Sequence, residues 1–314
     1  MTPLAYINGK MLPSTDLSIP VDDLGFVQGV TVAERLRTFN GKLFRLNAHV
    51  ERLRRSLEII ELSPPVDLSE LANAAEELVA RNHALLEPGD DLGLAMFVTP
   101  GRPGISPAGA QAVADRAFAG PIVAMHTQPL PFQHWVDKFT TGEELWISTI
   151  RQVPEACWPA ELKCRSRMHY YLADLEARRH SAAARALLLD TDGNVSEAST
   201  ANVVMFTAQE GLVAPPAESV LPGVSLATVF EFADQLKIPH TRRPITPQEI
   251  RQADEVLLCS TSMCVQPVTR LDGQLIRTGQ PGKIFKRIIA AWGELVGVDI
   301  IAQAQRFARD RQTA

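Results

Sequence analysis

Lys163 and Glu197 are the side chains in this sequence best suited to covalent and proton-transfer chemistry. Both lie in the stretch LKCRSRMHYYLADLEARRHSAAARALLLDTDGNVSEASTANVVMF, which covers residues 162–206. A lysine amine can form an imine with a carbonyl group when burial or nearby charge lowers its pKa toward neutrality. A buried carboxylate can stabilise a protonated ring nitrogen. Whether the two residues can act together depends on the elements that position them.

Lys163 lies where an extended segment leads into a predicted helix over residues 165–180. Met168, Leu172 and Leu175 recur at helical spacing, which predicts that they form the apolar face of this helix. The lysine is therefore expected at the end of a regular element, where its position is fixed.

Glu197 follows a predicted strand and a turn. The apolar run at 184–190 is typical of a buried strand, and Asp192-Gly193 closes a turn behind it. Asn202 opens the next predicted strand, so the glutamate lies between two strands. Its carboxylate is therefore also expected in a fixed position.

The stretch resembles the core of the class IV, or fold type IV, pyridoxal-phosphate aminotransferases. That family includes branched-chain aminotransferases, D-amino-acid aminotransferases and aminodeoxychorismate lyases. Within the stretch, the resemblance rests on LK at 162–163, EAR at 176–178, LLLDTDGNVSEAS at 187–199 and Asn202. Three outlying pieces follow the family's order along the chain: HVERL at 49–53, LPGVS at 221–225 and DEVLLCSTS at 254–262, with PVTRLDG at 267–273 just after the last. Pieces that agree in order are much stronger evidence than any one of them alone.

The resemblance implies pyridoxal 5'-phosphate as the cofactor and assigns residues to each part of it. Lys163 is implied as the Schiff-base lysine and proton carrier, and Glu197 as the carboxylate beside the pyridine nitrogen. Gly223 would permit close approach of the backbone, and Leu221 would pack on the ring. The implied phosphate contacts are the side chain of Arg52, the main-chain N–H groups of Val224 and Ser225, and the pair Ser260 and Thr261.

The sequence departs from the family where the substrate is usually held. Ala33 stands where an active-site tyrosine usually precedes the glutamate that corresponds to Glu34. The predicted strand 92–99 carries neither the tyrosine nor the arginine that are common there, and reads Gly93, Leu94, Ala95 and Met96. Candidate replacements for these substrate contacts are Arg151, Arg167 with Tyr170 or Tyr171, Ala95 and Ser262.

The order of predicted elements indicates two domains. At 314 residues, the chain is long for one hydrophobic core. Strands and then helices in the first part predict a small α+β domain over 1–126, with a loop at 100–110. A segment rich in proline and aromatic residues at 127–141 is predicted as a linker, and 142–314 as a larger α/β-type, cofactor-binding domain. Together these match the D-amino-acid aminotransferase-like fold that the resemblance implies.

Composition excludes several other classes of protein. The net charge of −5 argues against nucleic acid as a partner, and no apolar run approaches the ~18 residues of a membrane span. No secretory signal is visible at the N-terminus, and the four cysteines fit neither a zinc site nor a disulfide scaffold. We therefore expect no metal, reduced thiols and a cytoplasmic location, and the resemblance implies a homodimer.

The predicted function is amino transfer between an amino acid and a 2-keto acid such as 2-oxoglutarate. The apolar strand 92–99 favours a branched-chain or other aliphatic amino acid. Aminodeoxychorismate lyase, which releases pyruvate, is an alternative, because KCRSR at 163–167 is in some ways closer to its pattern. A non-catalytic protein that binds the cofactor is a second alternative, and a plain structural protein would bind no cofactor at all.

Overall fold

The computed structural model describes residues 2–102 and 120–312. The chain divides into two compact units, each with its own sheet. The first unit comprises Met1–Leu130 and Leu162–Ser166, and the second comprises Pro131–Glu161 and Arg167–Ala314. The segment that carries Lys163 therefore belongs to the first unit, although it lies in the middle of the sequence of the second.

The three segments predicted from sequence, 1–126, 127–141 and 142–314, stay a prediction. The predicted linker includes the end of strand β6 (Ile122–Pro129) and the short helix α4 (Lys138–Thr141). Of the loop predicted at 100–110, residues 103–110 lie outside the described residues.

The described part of the first unit contains a six-stranded antiparallel sheet in the order β2-β1-β6-β5-β3-β4. Asn8-Gly9, a dipeptide typical of hairpin turns, joins β1 to β2, and both residues have the positive φ that such a turn requires. The strands are β1 Leu4–Ile7, β2 Lys10–Pro13, β3 Val32–Phe39, β4 Lys42–Leu43, β5 Leu92–Thr99 and β6 Ile122–Pro129.

Helices α2 (Leu46–Ile59) and α3 (Leu68–His83) contribute to the apolar core of this unit, and the short helix α1 covers Leu24–Val27. Leu94 and Met96 of β5 are fully buried in that core. Since side chains alternate along a strand, Gly93 and Ala95 project from the opposite face of the sheet. The apolar character of β5 therefore reflects mainly its packing in the core.

The described part of the second unit contains a nine-stranded sheet in the order β12-β11-β10-β13-β14-β7-β8-β9, with β15 paired to β14. Strand β9 also pairs with β10, so β10, β13, β14, β7, β8 and β9 form a closed ring. The strands are β7 Glu143–Ile147, β8 Arg185–Leu189, β9 Val195–Ala198, β10 Ala201–Thr207, β11 Gly211–Ala214, β12 His240–Arg242, β13 Glu255–Ser260, β14 Cys264–Leu271 and β15 Gln274–Leu275.

Local sequence explains where helix α7 of this unit begins. Thr246 and Glu249 form a capping box, with Pro247 at the first position of the helix. The tail after Ala302, for which the sequence indicated no element, belongs to a helix. The helices are α5 Met168–His180, α6 Val224–Gln235, α7 Pro247–Gln252, α8 Lys283–Val296 and α9 Ile300–Gln312. Among residues 2–102 and 120–312, no helix has the length and apolar character needed to cross a membrane.

Helix α5 corrects the sequence interpretation in two ways. It begins at Met168 rather than at residue 165, because the N–H of Arg165 donates to Thr31 O at 2.8 Å and keeps this segment extended. The predicted apolar face is also wrong. Met168, Leu172 and Leu175 are 69%, 43% and 36% exposed, whereas the buried face consists of small residues, Ala173 and Ala177.

Candidate active site

Lys163 is held through its main chain within the first unit. Its N–H donates to Ser56 Oγ of α2 at 3.2 Å, and its carbonyl oxygen accepts from the N–H of Ala33 in β3 at 2.9 Å. The next residue, Cys164, forms an antiparallel bridge with Val32. The lysine segment thus pairs with the start of β3. Its Cα is fixed by these bonds, while none of them uses the amine.

A buried carboxylate, Glu34, lies on the side of β3 that faces α2. Glu34 Oε1 accepts from Arg52 Nε at 2.8 Å, and Oε2 accepts from Arg52 Nη2 at 2.7 Å. His49, one helical turn before Arg52, places Nδ1 2.7 Å from Glu34 Oε2. All three side chains are at least nine-tenths buried. Arg52 and Glu34 thus form a two-pronged ion pair, the strongest geometry for these groups.

The electrostatics of this group follow from burial and from the guanidinium. Burial raises the pKa of Glu34, but the charge and bonds of Arg52, helped by the His49 bond and the charge of Lys163, lower it to about 2. Burial lowers the pKa of His49 despite its bond to Glu34. At neutral pH, Glu34 is therefore ionised and His49 is neutral, so His49 Nδ1 carries the proton and donates it to Glu34.

Neither Glu34 nor His49 was identified from the sequence as part of a site. The signal was present: Glu34 is two residues from Val32 and from Leu36 in β3, so it shares the face whose side chains are in the core. A carboxylate at a core-facing position must find a hydrogen-bonded cation, because burying it alone is costly. The role of Arg52 as a phosphate contact stays a prediction. The structure shows that two of its nitrogens hold Glu34.

Glu197 is the buried carboxylate of the second unit. It lies directly across from Asn202 in the pairing of β9 with β10. Oε1 accepts from Asn202 Nδ2 at 2.7 Å and from the N–H of Leu221 at 3.0 Å. Oε2 accepts from the hydroxyl of Tyr170 at 2.9 Å and from Gln152 Nε2 at 3.2 Å. Uncharged groups therefore hold both oxygens in place.

Tyr170 of α5 and Gln152 of the irregular segment after β7 both donate hydrogen bonds to Glu197. Burial, and then the charge of Glu197, raise the pKa of Tyr170 well above its usual value, so the phenol keeps its proton and donates it. Gln152 Nε2 also lies 3.1 Å from the Tyr170 hydroxyl oxygen. The sequence interpretation considered Tyr170 only as a contact to cofactor or substrate, and missed Gln152. A glutamine in an irregular segment after a strand carries no signal that distinguishes it.

Gly223 is needed for a local packing reason. A Cβ atom at this position would overlap Oδ1 of Asn202, whose Nδ2 donates to both Glu197 and the carbonyl oxygen of Leu221. The residue also precedes α6, and no side chain caps that helix. The first N–H groups of a helix have no partner within it, so those of Val224 and Ser225 suit an anion.

Ser260 and Thr261 lie where β13 ends in a tight turn toward β14. Ser260 pairs with Cys264 across this turn, and Cys264 adopts a positive φ of 64°. The residue before Ser260, Cys259, lies opposite Asn202 in the register of β13 with β10. Ser260 and Thr261 therefore come directly after a residue that pairs with Asn202, the residue of β10 that bonds to Glu197.

The residues predicted to contact the substrate differ in their exposure and in the elements that carry them. Arg151 is exposed, and it is its neighbour Gln152 that reaches Glu197. Arg167 precedes α5, where its charge lowers the pKa of His169 after the larger effect of burial. Tyr171 is 60% exposed. Ser262 lies in the turn after β13, and Ala95 is buried in β5 of the first unit.

No group of three or more His, Cys, Asp or Glu side chains in the described part of the chain is arranged to hold a metal ion. The cysteines are free thiols: Cys259 and Cys264 are buried, Cys164 is partly buried and Cys157 is exposed. Burial raises the pKa of Cys259 to about 12, so this thiol stays protonated and packs as a small apolar group.

Comparison with known proteins gives matches along most of the chain. A family model described as class IV amino-transferase matches residues 31–271. D-alanine aminotransferase of Bacillus licheniformis is 27% identical over 289 residues, which cover 90% of this chain and 94% of that protein. A protein of Methanocaldococcus jannaschii, provisionally named branched-chain-amino-acid aminotransferase, is 26% identical over 297 residues, covering 92% and 97%.

Solved structures match over a similar length. The branched-chain aminotransferase of Thermoproteus uzoniensis, solved with norvaline, superposes with a TM-score of 0.80 at 24% identity, covering 98% of this chain and 97% of that one. The branched-chain amino acid aminotransferase of Escherichia coli superposes with a TM-score of 0.77 at 22% identity, covering 93% and 94%. These likenesses confirm the fold class predicted from the sequence.

Proposed function

We propose that this chain, which belongs to the class IV aminotransferase family, moves amino groups between an amino acid and a 2-keto acid with pyridoxal 5'-phosphate as its cofactor. The observation that carries the proposal is the setting of Glu197, a buried carboxylate whose two oxygens accept from uncharged groups at 2.7–3.2 Å. Neutral donors position a carboxylate without cancelling its charge, as a protonated ring nitrogen requires.

The polar groups of the second unit fit the ring nitrogen and the phosphate of the cofactor. The ring nitrogen needs an anion, which Glu197 provides. The phosphate needs N–H and O–H donors, which the uncapped start of α6 at Val224 and Ser225 and the hydroxyls of Ser260 and Thr261 can provide. When bound, pyridoxal phosphate supplies an aldehyde carbon for an amine and a ring that stabilises negative charge at the substrate Cα.

The remaining roles fall to residues of the chain itself. Lys163 would hold the aldehyde carbon through its amine and would move a proton at the substrate Cα. Its main chain is fixed by Ser56 and Ala33, so only the side chain needs to move between these tasks. Arg52, oriented by Glu34, adds positive charge for the phosphate. Leu221 packs on the ring face.

For the substrates we propose an aliphatic or branched-chain amino acid as donor and a dicarboxylic keto acid such as 2-oxoglutarate as acceptor. Small residues, Ala33 and Ala95, support this choice of donor, as do relatives named for D-alanine and for branched-chain amino acids. Arg151 and Arg167 are proposed carboxylate contacts and Ser262 a further polar contact. Substituting each arginine with alanine should raise the KM for the keto acid, and an unchanged KM rules that residue out.

The test is a screen of amino donors with purified holoenzyme. The absorbance change of one half-reaction is followed for L- and D-forms of aliphatic amino acids, and keto-acid product is measured. Spectral change with at least one donor supports aminotransferase activity. Pyruvate released from aminodeoxychorismate without any acceptor indicates the lyase instead. A visible cofactor band with no half-reaction indicates a protein that only binds the cofactor.

Lys163→Ala should abolish turnover and the visible absorbance of the lysine-bound cofactor, because the substituted side chain offers no amine. Lys286→Ala, an exposed lysine of α8 in the second unit, is the matched control and should leave both unchanged. Turnover that persists in the Lys163 variant would refute the assignment.

We also propose that the protein is a cytoplasmic homodimer. The composition, with 21% charged residues, supports the location, and the habit of the family supports the dimer. Sedimentation equilibrium of the holoenzyme at micromolar concentration should give a mass of two chains, and a monomer mass would contradict the proposal.

A further inference from the structure

One face of the sheet in the first unit carries basic residues, while the other contributes to the core shared with α2 and α3. Arg35 of β3 pairs directly with Ala95 of β5, and Ala95 pairs directly with His126 of β6. Residues that pair across neighbouring strands project from the same face of a sheet. Arg35, Ala95 and His126 therefore form a row across three strands, on the face opposite to Glu34.

The basic groups at this row act on one another. Burial, and then the positive charges of Arg165 and Arg35, lower the pKa of His126. At neutral pH the His126 ring is therefore uncharged and can donate one N–H bond, while both guanidinium groups stay charged. Arg165 lies two residues after Lys163, in the segment that pairs with β3. The charges therefore belong to the same unit as the proposed reactive amine.

Arg35 is oriented by an uncharged partner, and small residues surround it. With the amide of Gln128 in the orientation that satisfies both groups, its oxygen accepts from Arg35 Nη1 at 3.1 Å. A methyl group added at Gly93 would lie 3.5 Å from Arg35 Nη2. Ala33 and Ala95 project from the same face. A planar ligand group can therefore approach the guanidinium from this face.

None of the described residues that β1, β3, β5 and β6 place on this face is an aspartate or a glutamate. Three buried carboxylates, Asp23, Asp90 and Asp91, lie at the ends of β5 and accept hydrogen bonds there. Asp23 accepts from the Thr99 hydroxyl at 2.8 Å, and Asp91 from the Thr38 hydroxyl at 2.6 Å. Thr99 and Asp91 are each four residues from Ala95, about 13 Å along the strand. The guanidinium of Arg35 would attract an anion that approaches this face.

We propose that Arg35 and His126, together with Arg165, form a subsite that binds a carboxylate group of the substrate. The inference rests on the proposed function and assigns residues to the binding of its dicarboxylic keto acid. Arg35 binds the carboxylate with its planar guanidinium, and His126 donates a single N–H bond. The subsite suits the keto acid with a second carboxylate, while the small residues beside it leave room for an aliphatic side chain.

The experiment compares Arg35→Gln with the wild-type holoenzyme. Two acceptors of equal chain length are used, 2-oxoglutarate and 2-oxopentanoate, which differ in the distal carboxylate. Glutarate, which cannot react, is titrated by calorimetry to give a dissociation constant independent of turnover. Loss of a charge-assisted hydrogen bond should raise the KM for the dicarboxylic acceptor and the Kd for glutarate by about tenfold or more. Arg54→Gln, an exposed arginine of α2, should change neither.

Each outcome decides the inference. A KM that rises only for the dicarboxylic acceptor places its distal carboxylate in the subsite, and a rise for both acceptors places the carboxylate that they share there. Unchanged KM values together with an unchanged glutarate Kd overturn the inference. Should Arg35→Gln fail to fold, Arg35→Lys and Arg165→Gln carry the same test. If the wild-type enzyme fails to transfer amino groups, the proposed function is wrong. The glutarate titration still measures binding at the subsite in that case.

Discussion

Two buried carboxylates, one in each unit, are held in opposite ways. Glu34 in the first unit accepts two bonds from the guanidinium of Arg52. Glu197 in the second unit accepts bonds from a phenol, two side-chain amides and a main-chain N–H. The bonds to Glu34 bring a full positive charge to the carboxylate, whereas those to Glu197 supply only dipoles.

This difference indicates different roles: Glu34 orients Arg52, whereas Glu197 keeps its negative charge available to a ligand. An ion pair inside a protein is costly to break, because removing one partner leaves the other charge buried. Glu34 is therefore expected to matter for stability and for the orientation of Arg52. Dipoles stabilise the charge of Glu197 without neutralising it. Glu197 is therefore expected to matter for the chemistry of the bound cofactor.

Glu197→Gln should have the largest effect. The amide cannot keep the ring nitrogen protonated, so we expect kcat to fall about 1,000-fold, within the range that a proton-transfer group contributes. Cofactor content, measured by absorbance after denaturation, should remain near one per chain. Glu77→Gln, an exposed residue of α3, is the control. Near-normal kcat in the Glu197 variant would mean that this carboxylate does not serve the cofactor.

Glu34→Gln should mainly reduce stability. It leaves the buried guanidinium of Arg52 without its anion, which costs about 3–4 kcal/mol of unfolding free energy. Urea unfolding of the two glutamine variants sharpens the contrast, since Glu34→Gln should destabilise more than Glu197→Gln. The opposite order would show that the ion pair contributes little.

The two carboxylates should also differ in acid. The pKa of Glu34 is lowered from 4.5 to about 2 in the folded protein, so the stabilisation is complete above pH 4.5 and is lost as the pH falls toward 2. That shift corresponds to about 3 kcal/mol of unfolding free energy over this interval. The stability of Glu34→Gln should therefore fall less steeply with acid than that of the wild type. Parallel pH profiles would contradict the lowered pKa.

Tyr170→Phe should have the smallest effect. It removes one of the uncharged donors to Glu197, worth about 1 kcal/mol, and leaves the others in place. We expect kcat to fall by about fivefold, and the absorbance band of the bound cofactor to titrate at a shifted pH. Tyr171→Phe, on the exposed side of α5, is the matched control and should behave like the wild type.

Local sequence predicted much of the fold. Turn residues located the hairpin at Asn8-Gly9, and the Thr246–Glu249 capping box located the start of α7. Both depend on interactions between residues close in the chain, and such interactions act in any surroundings. The start of α5 was predicted three residues too early. A bond from the N–H of Arg165 to Thr31, more than a hundred residues away, keeps the segment before α5 extended.

The sequence by itself determined the family, the order of elements and the presence of Lys163 and Glu197, because these are carried by motifs of neighbouring residues. Only the tertiary structure decided the partners: Arg52 with Glu34, Tyr170 and Gln152 with Glu197, and Arg35 in a row with His126. The physical reason is that a charge or a hydrogen-bonding group is defined by what lies within about 3 Å of it. Strand pairing and helix packing bring such groups together from distant parts of the chain.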